Sequence, residues 1–287
     1  MPNNLNTKIK LMKSDIHNTR FSEQEKQNPK KIKILSKNLI VALFAVHFIS
    51  CANNTNTIPE IAYSSQTETT TKAKVIDHKQ WNDLLQKNVS SKGNVDYKKF
   101  KKDQAALQSY LDLLSKNLPQ KSWSKEAVLA YWINTYNAYT VKLILDNYPV
   151  KSIKKIDSPW DNKFFTLGNK KYSLGEIEHK ILRKMNEPRI HFAINCASYS
   201  CPNLSNEAYT EKNLGSQLET ASKSFINDKT KNNITANSIE ISSIFDWFTG
   251  DFKKKGTLIE FLNKYSKVKI NQNAKISYKE YNWNLNE

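Results

Sequence analysis

The feature that most restricts the fold is an apolar stretch, residues 127–145, in which Lys142 is the one charged side chain. Ser124 lies just before this stretch and belongs to a residue type that caps helix N-termini. Pro149 lies just after it and cannot continue a helix. The sequence therefore predicts a long helix from Lys125 to about Asn147. Because such a helix is apolar on nearly every side, we expect it at the centre of a domain, covered by other elements.

The rest of the sequence predicts a mixture of short helices and short strands. Ser173 and Glu176 form an S-x-x-E capping box that predicts a further helix through Lys184, and the alternating run 189–195 predicts a strand that enters the core. Because strands stand apart from runs of helix, we predict an α+β fold with one domain, in which the long buried helix packs on a small, mostly antiparallel sheet. The other predicted elements are helices at 80–89, 97–116, 214–228 and 258–265, and hairpins around Gly168-Asn169 and Asn237.

The first 50 residues predict an export signal. Lys30, Lys31, Lys33 and Lys37 form a basic region, and the apolar run 39–49 that follows is too short to span a bilayer. Ser50-Cys51 at its end resembles the cleavage point of a bacterial lipoprotein signal. We therefore predict that residues 1–50 are a signal peptide and that lipidated Cys51 anchors the protein in the bacterial cell envelope. An uncleaved anchor and a buried helix remain as alternatives.

Composition divides the residues after the predicted signal peptide into two regions. Residues 51–74 are rich in Asn, Thr and Ser and predict a flexible tether, whereas 75–287 predict a single globular domain. The formal net charge is +17, and it is still +11 after the signal. This charge suits an anionic envelope polymer or peptide as a partner, unless the lysines only solvate the surface. We predict no nucleic-acid partner for an exported protein.

Rare residue types concentrate between positions 178 and 201. After Cys51 the chain has three histidines, two arginines and two cysteines, and this window holds all but one of them. Since nearly all other cationic side chains are lysines, the arginines indicate positions that need a planar, bidentate donor. We therefore predict a functional site here. Its candidate residues are Glu178, His179, Arg183, Arg189, His191, Cys196 and Cys201.

The first interpretation of this window is nucleophilic catalysis. Cys196 would act as the thiolate, His191 or His179 as its base, and Glu178 would orient the imidazole. The reaction would be acyl transfer or hydrolysis on a peptide or amide, by analogy with papain-like or transglutaminase-like enzymes. Asp251 is a further candidate for the third member of such a triad.

The second interpretation is structural. In an oxidising compartment Cys196 and Cys201 have only each other to pair with once Cys51 is acylated, and a disulfide would add about 2 kcal/mol to stability. It would stiffen a non-catalytic binding module. A third interpretation, a zinc site that includes His179, fits poorly because the cysteine spacing is unlike that of zinc knuckles. We therefore predict no metal and no cofactor.

The fourth interpretation is that the polar residues only stabilise the fold. His191 would be a hydrogen-bonded core histidine, and Glu178, Arg183 and Arg189 would neutralise one another. As a combination of a functional and a structural role, we predict that Arg183 faces a ligand. Arg189 is predicted to be structural, at the base of the strand predicted at 189–195.

Two asparagines on the long helix are further candidates for ligand binding. Asn134 and Asn137 are three residues apart and so lie on one helix face. Buried amides must find partners, and either a ligand or the backbone of a neighbouring loop would satisfy them. We favour the backbone.

Several motifs resemble one family. The sequence W-x-N-x-Y-N at 132–137 is similar to a motif of family 547 of the domains of unknown function. The resemblance extends over about 121–287, and it implies no particular activity. Asn282 stands where the resemblance leads us to expect an acidic residue. The remaining matches are Ser173-Leu174, Glu178-His179, His191-Phe192-Ala193, Cys196-Ala197-Ser198, Ser200-Cys201-Pro202, Phe245, Trp247, Asp251-Phe252 and 281–286.

Overall fold

The computed structural model describes residues 74–287. The predicted signal peptide, the lipid anchor Cys51 and nearly all of the predicted tether lie outside the described residues. The elements of the N-terminal half are helices α1 (Lys79–Asn88), α2 (Tyr97–Phe100), α3 (Gln104–Lys116) and α4 (Lys125–Asn147), and strands β1 (Phe165–Leu167) and β2 (Lys170–Tyr172).

The long central helix, α4, is confirmed at the predicted bounds. The Ser124 hydroxyl accepts a hydrogen bond from the Ala127 amide at 3.1 Å, which caps its N-terminus. Of its 23 residues, 18 are buried. Tyr139 stacks on Phe165 of β1 with 3.8 Å between ring centroids, so the helix packs against the hairpin as well as against other helices. The polar side chains in its buried stretch, among them Asn134 and Asn137, therefore face the interior of the fold.

The predicted helix 97–116 is divided in the structure. A short 3₁₀ turn, Lys101–Asp103, separates α2 from α3. The Asp103 carboxylate accepts hydrogen bonds from Lys87 at 2.7 Å and from Asn88 at 2.9 Å, both at the end of α1. These tertiary contacts favour a bend that the apolar pattern alone could not predict.

The β1–β2 hairpin is confirmed, with Phe165 opposite Tyr172 and Gly168 in the turn at φ +56°. The Ser173 hydroxyl then accepts from the Glu176 amide at 3.1 Å, as the capping box predicts. The helix that follows differs from the prediction. It is a π-helical turn, Glu176–Ile181, continued by a 3₁₀ turn, Leu182–Met185.

The predicted strand 189–195 is wrong. Residues Pro188–Phe192 form a 3₁₀ helix. Proline at the first position favours helical backbone angles, and the Glu187 carboxylate caps the turn by accepting from the Arg189 amide at 3.2 Å. Ile190, His191 and Phe192 are all buried, so the apolar pattern reflects complete burial rather than a strand with two faces.

The C-terminal half contains a three-stranded sheet in the order β3-β4-β5, of which β3 and β4 are antiparallel and β4 and β5 parallel. The α+β class is confirmed, and two of the three strand pairings are antiparallel. None of the helices among residues 74–287 has the length and apolar character needed to cross a membrane. The elements are α5 (Leu214–Ile226), β3 (Asn233–Ile234), β4 (Ser238–Ser242), α6 (Ile244–Trp247), α7 (Thr249–Phe252), α8 (Leu258–Asn263) and β5 (Lys275–Lys279).

Candidate functional site

The rare residues of the 178–201 window divide into two polar clusters. We call them the thiol cluster and the Asp251 cluster. Within residues 74–287, no hydrogen bond or ion pair joins one cluster to the other. The thiol cluster consists of Cys196, Cys201, Ser198 and Tyr281, and the Asp251 cluster of His179, Arg183, His191 and Asp251.

In the thiol cluster the sulfur atoms of Cys196 and Cys201 lie 2.7 Å apart, and both cysteines are free. The Cys196 sulfur also contacts the Ser198 hydroxyl at 2.9 Å and the Tyr281 hydroxyl at 3.4 Å. Cys196 is partly exposed, whereas Cys201 is buried. Cys196 is thus the more exposed of the two cysteines, and its sulfur lies beside that of the buried Cys201.

The loop that carries the thiols is held in an unusual conformation. Ala197 has φ +57°, in the left-handed region that non-glycine residues rarely adopt. The Asn195 side chain bridges the loop, accepting from the Ala197 amide at 2.8 Å and donating to the Pro202 carbonyl at 2.7 Å. Strained backbone of this kind persists only where surrounding bonds fix it, and it clusters at functional sites.

A distant segment, residues 281–286, pairs with the loop along its backbone. The Tyr199 amide donates to the Asn284 carbonyl at 2.7 Å, and the Asn286 amide donates to the Ala197 carbonyl at 3.2 Å. Asn282 is exposed, and its side-chain oxygen accepts from the Asn284 amide at 3.0 Å. An acidic side chain at this position would offer the same acceptor, so the departure from the expected residue leaves the local hydrogen bond intact. This segment places Tyr281 against Cys196.

The two thiols differ in acidity. Burial by itself would raise the pKa of the Cys196 thiol, but hydrogen bonds from Cys201, Ser198 and Tyr281 favour the thiolate and lower the pKa overall. The pKa of the Cys201 thiol is raised well above its ordinary value, first by burial and then by its hydrogen bond to Cys196 and the negative charge there. The more exposed sulfur is therefore the more readily ionised one.

In the Asp251 cluster one carboxylate oxygen accepts hydrogen bonds from two side chains. Arg183 Nε donates to Asp251 Oδ2 at 2.6 Å, and His191 Nε2 donates to the same oxygen at 2.9 Å. Burial alone would raise the pKa of the Asp251 carboxyl, but the hydrogen bonds from His191 and Arg183 lower it well below its ordinary value. Lys254 lies 3.5 Å from the other carboxylate oxygen. Asp251 is thus firmly ionised.

The imidazole of His191 is buried within the Asp251 cluster. It is 3% exposed and stacks on Phe248 with 4.1 Å between ring centroids. Its Nε2 atom faces Asp251, and among residues 74–287 no hydrogen bond joins either of its nitrogens to Cys196. His179 Nδ1 accepts from Arg183 Nη1 at 3.1 Å. Neither candidate base contacts the candidate nucleophile in this conformation.

The remaining charged candidates have partners of their own. Glu178 is buried and accepts from the Tyr136 hydroxyl at 3.3 Å, so it does not pair with Arg183. Arg189 binds Glu187 through two donors, at 2.8 and 2.7 Å. Burial would raise the pKa of Glu187, but the hydrogen bonds and charge of Arg189 lower it. The predicted mutual neutralisation of Glu178, Arg183 and Arg189 is replaced by separate pairs.

Asn134 and Asn137 hydrogen-bond the backbone of neighbouring loops. Asn137 donates to the Ala193 carbonyl at 2.9 Å and accepts from the Asn195 amide at 2.8 Å. Asn134 makes the same two kinds of bond with Tyr209, at 2.7 and 3.0 Å. Asn137 thus fixes the start of the thiol loop, and a direct role of either amide in ligand binding stays a prediction. Within residues 74–287, no three His, Cys, Asp or Glu side chains are grouped to hold a metal ion.

Fold and site define an α+β domain that carries a pair of thiols on a loop. Residues 120–226 match the model of a family described as "Protein of unknown function, DUF547", which supports the resemblance seen in the sequence. No curated protein and no solved structure matches the chain. The matched range contains both cysteines and His191 but ends before Asp251 and Tyr281, so each cluster combines residues from inside and outside it.

Two members of the site were less well predicted from the sequence than the others. Tyr281 was noted only as part of a motif, and Asp251 only as a spare candidate. They lie 85 and 60 residues from their partners Cys196 and His191. The aromatic character of 281–283 was the one available signal for the first, and nothing in the local sequence pointed to the pairing of the second.

Proposed function

We propose that this protein is a lipid-anchored bacterial envelope protein whose Cys196–Cys201 pair alternates between a dithiol and a disulfide in exchange reactions with thiol compounds. The observation that carries the proposal is the 2.7 Å separation of the two sulfur atoms. To form a disulfide bond of about 2.05 Å, the two sulfur atoms would have to approach by only about 0.7 Å more.

The two thiols differ in exposure and in pKa, and this difference supports thiol–disulfide exchange rather than a permanent structural disulfide. Exchange begins when a thiolate attacks a disulfide sulfur, and it needs an accessible thiol of lowered pKa. Cys196 has both properties, whereas Cys201 is buried and its pKa is raised. Cys196 is therefore the attacking residue and Cys201 the resolving one.

The exchange reaction needs only Cys196, Cys201 and one substrate disulfide. The Cys196 thiolate attacks a substrate sulfur, the substrate disulfide bond breaks, and the first thiolate leaves. Cys201 then gives up its proton to that leaving thiolate and attacks the Cys196 sulfur, which releases the second half as a thiolate that takes a proton from water. Two electrons pass from the protein dithiol to the substrate, and the protein becomes the disulfide.

The hydroxyl groups of Ser198 and Tyr281 supply the stabilisation of the thiolate that an imidazole supplies elsewhere. They lie 2.9 and 3.4 Å from the Cys196 sulfur. Thiol-dependent acyl transfer by Cys196 and His191 is less well supported, because among residues 74–287 the Cys196 sulfur hydrogen-bonds to Ser198, Cys201 and Tyr281 and not to either nitrogen of His191. A binding module with a permanent disulfide remains the alternative that the next experiment addresses.

The test is the redox equilibrium of the full chain carrying Cys51→Ser, which leaves only Cys196 and Cys201. We expect the pair to equilibrate with glutathione, so that alkylation and mass measurement detect both forms across accessible glutathione ratios. A reduction potential below about −300 mV would instead mark a structural disulfide that the glutathione pool cannot reduce. That result would support the binding module and contradict exchange.

Two variants separate the roles of the thiols. In the reduced protein, Cys201→Ser should leave Cys196 reactive toward iodoacetamide, whereas Cys196→Ser should leave a slowly reacting, buried thiol. Tyr281→Phe removes one hydrogen bond to the thiolate and should therefore raise the pKa of Cys196 and slow its alkylation near neutral pH. Tyr278→Phe, a change to a more exposed tyrosine on the preceding strand, is the matched control and should have no effect.

The location in the envelope rests on the basic region, the apolar run and Cys51, together with a net charge that suits an anionic envelope polymer or peptide. In cells given labelled fatty acid, we expect label in this protein and none in its Cys51→Ser variant. Recovery of an unlabelled wild-type chain in the soluble fraction would contradict the anchor.

A further inference from the structure

A small pocket adjoins the thiol cluster. Tyr281, whose hydroxyl touches the Cys196 sulfur, forms part of its wall, and so does Ser200 of the thiol loop. Its volume is about 30 Å³, which is room for about two water molecules. The two oxygens of one carboxylate would occupy a similar space. The pocket and the Cys196 sulfur thus have Tyr281 as a common neighbour.

Lys231 in the wall of this pocket is a buried ammonium group with incomplete pairing. It is 8% exposed, and within residues 74–287 no carboxylate lies within ion-pair distance of it. It donates to the Tyr199 carbonyl of the thiol loop and lies 4.2 Å above the Tyr199 ring. Because an ammonium has three donors, two remain for another acceptor. A buried charge of this kind is costly unless something pairs with it.

The rest of the wall is also rich in donors. Lys279 at the end of β5 adds a second ammonium, and Glu280 beside it is the one acidic side chain in the wall. The Ser200 oxygen accepts from the Asn282 amide at 2.9 Å, so the hydroxyl proton of Ser200 is available to donate. Burial lowers the pKa of Lys231, while nearby Asp228 and Cys201 oppose this. The pocket thus offers more positive than negative charge.

We infer that this pocket is a subsite for the carboxylate of the exchange substrate, which would be a small thiol, or its disulfide, that bears a carboxylate. Lys231 binds the carboxylate, Ser200 donates to it, and Lys279 adds favourable charge at the edge. The inference rests on the proposed function, since it names the substrate class of the same thiol site. It does not require any movement of the loop that Lys231 already holds.

The test compares two disulfide reagents on the reduced full chain carrying Cys51→Ser. Dithiobis-nitrobenzoate carries a carboxylate on each half, and dithiodipyridine is neutral. The measured quantity is the ratio of their rate constants with Cys196. We expect Lys231→Met to lower this ratio about ten-fold, and Lys279→Gln to lower it by a smaller factor, since removing a nearby cation weakens attraction to the anionic reagent only.

Lys275→Gln is the matched control. It removes the same charge from the same strand, about 13 Å from Lys279 along β5, and should leave the ratio close to that of the wild type. Lys231→Met removes a contact with the thiol loop. If this variant folds poorly for that reason, the ratio measured for Lys279→Gln still tests the subsite.

The outcomes distinguish the two proposals. An unchanged ratio in both pocket variants, with normal reaction of the neutral reagent, would overturn the subsite and leave dithiol exchange standing. Equal losses in Lys275→Gln and Lys279→Gln would also overturn the subsite, because they would indicate a general effect of net charge. Failure of Cys196 to react with either reagent in the wild type would overturn the proposed function and this inference with it.

Discussion

The thiol cluster and the Asp251 cluster draw their cysteines, histidines and arginine from the same short window, but their polar atoms are paired in different ways. In the Asp251 cluster the carboxylate, the imidazole and the guanidinium bind one another. In the thiol cluster the backbone is fixed by Asn195 and by residues 281–286, while the side-chain partners of the Cys196 sulfur among residues 74–287 are two hydroxyls and another sulfur, none of them a charged group. Rare residues that lie close together in a sequence can thus belong to two separate clusters with different kinds of partner.

The largest expected effect follows from removing the centre of the paired cluster. Asp251→Ala leaves the buried His191 and the partly exposed Arg183 without their acceptor. Breaking a buried ion pair costs about 3–5 kcal/mol, and we expect about 3 kcal/mol because Arg183 keeps some contact with water. Urea unfolding followed by circular dichroism measures this loss.

The control for that measurement is Asp246→Ala. Asp246 is exposed, and no hydrogen bond or ion pair of its side chain occurs among residues 74–287. Its loss should change the free energy of unfolding by less than about 0.5 kcal/mol. Similar values for the two variants would mean that the Asp251 cluster does not stabilise the fold, and the contrast with the thiol cluster would disappear.

The pH dependence of stability tests the same difference between the two clusters. The pKa of Asp251 is lowered in the folded protein, so its contribution to stability is complete above the unfolded pKa of about 3.9 and is lost as the pH falls from there toward the folded value. Asp251→Asn should therefore be less stable than the wild type at neutral pH, and the gap should narrow below about pH 4. A gap that stays constant through the acid range would contradict the ionised pairing.

The thiol cluster should contribute less to the free energy of unfolding than the Asp251 cluster. Its contribution should depend on whether the two thiols are oxidised to a disulfide. Oxidation to the Cys196–Cys201 disulfide closes a small loop and should add about 2 kcal/mol to the free energy of unfolding. Parallel urea titrations of oxidised and reduced protein measure the difference. The Cys201→Ser variant should show none, which separates the bridge from any other action of the reductant.

The smallest expected effect concerns the strain at Ala197. Glycine adopts φ near +57° without the cost of about 1 kcal/mol that alanine meets there, but it is more flexible when unfolded and lacks the buried methyl group. Ala197→Gly should therefore change stability by less than about 1 kcal/mol. Ala193→Gly, at a buried position with φ −106°, has no strain to relieve and should be clearly destabilising. Equal losses would contradict a strained loop.

Much of the framework could be predicted because its signals are local. The near absence of charge in 127–145 requires a buried helix, and Ser124 fixes its start. Glycine at position 168 lies where the hairpin needs a positive φ. The cysteine pair is also local, since five residues separate its members. In each case the physical cause acts over a few neighbouring residues.

The errors and omissions have long-range causes. The 3₁₀ helix Pro188–Phe192 was taken for a strand because complete burial removed the contrast between faces. The pairing of β5 with β4 was missed because it joins segments 37 residues apart, Ser238 with Lys275, and the local sequence of β5 does not indicate its partner. His191 was assigned to Cys196 because both lie in one window, whereas the fold turns its imidazole toward a carboxylate 60 residues away.

The pairing of the thiol loop with residues 281–286 bears on the order in which the protein folds. Asn195 and Asn286 are 91 residues apart, so their contact belongs to the slow, non-local part of folding. Until it forms, Cys196 lacks Tyr281 and remains an ordinary thiol with unrestricted access to oxidants. Selective reactivity would thus appear only in molecules that have completed their tertiary structure, and incompletely folded chains would react indiscriminately.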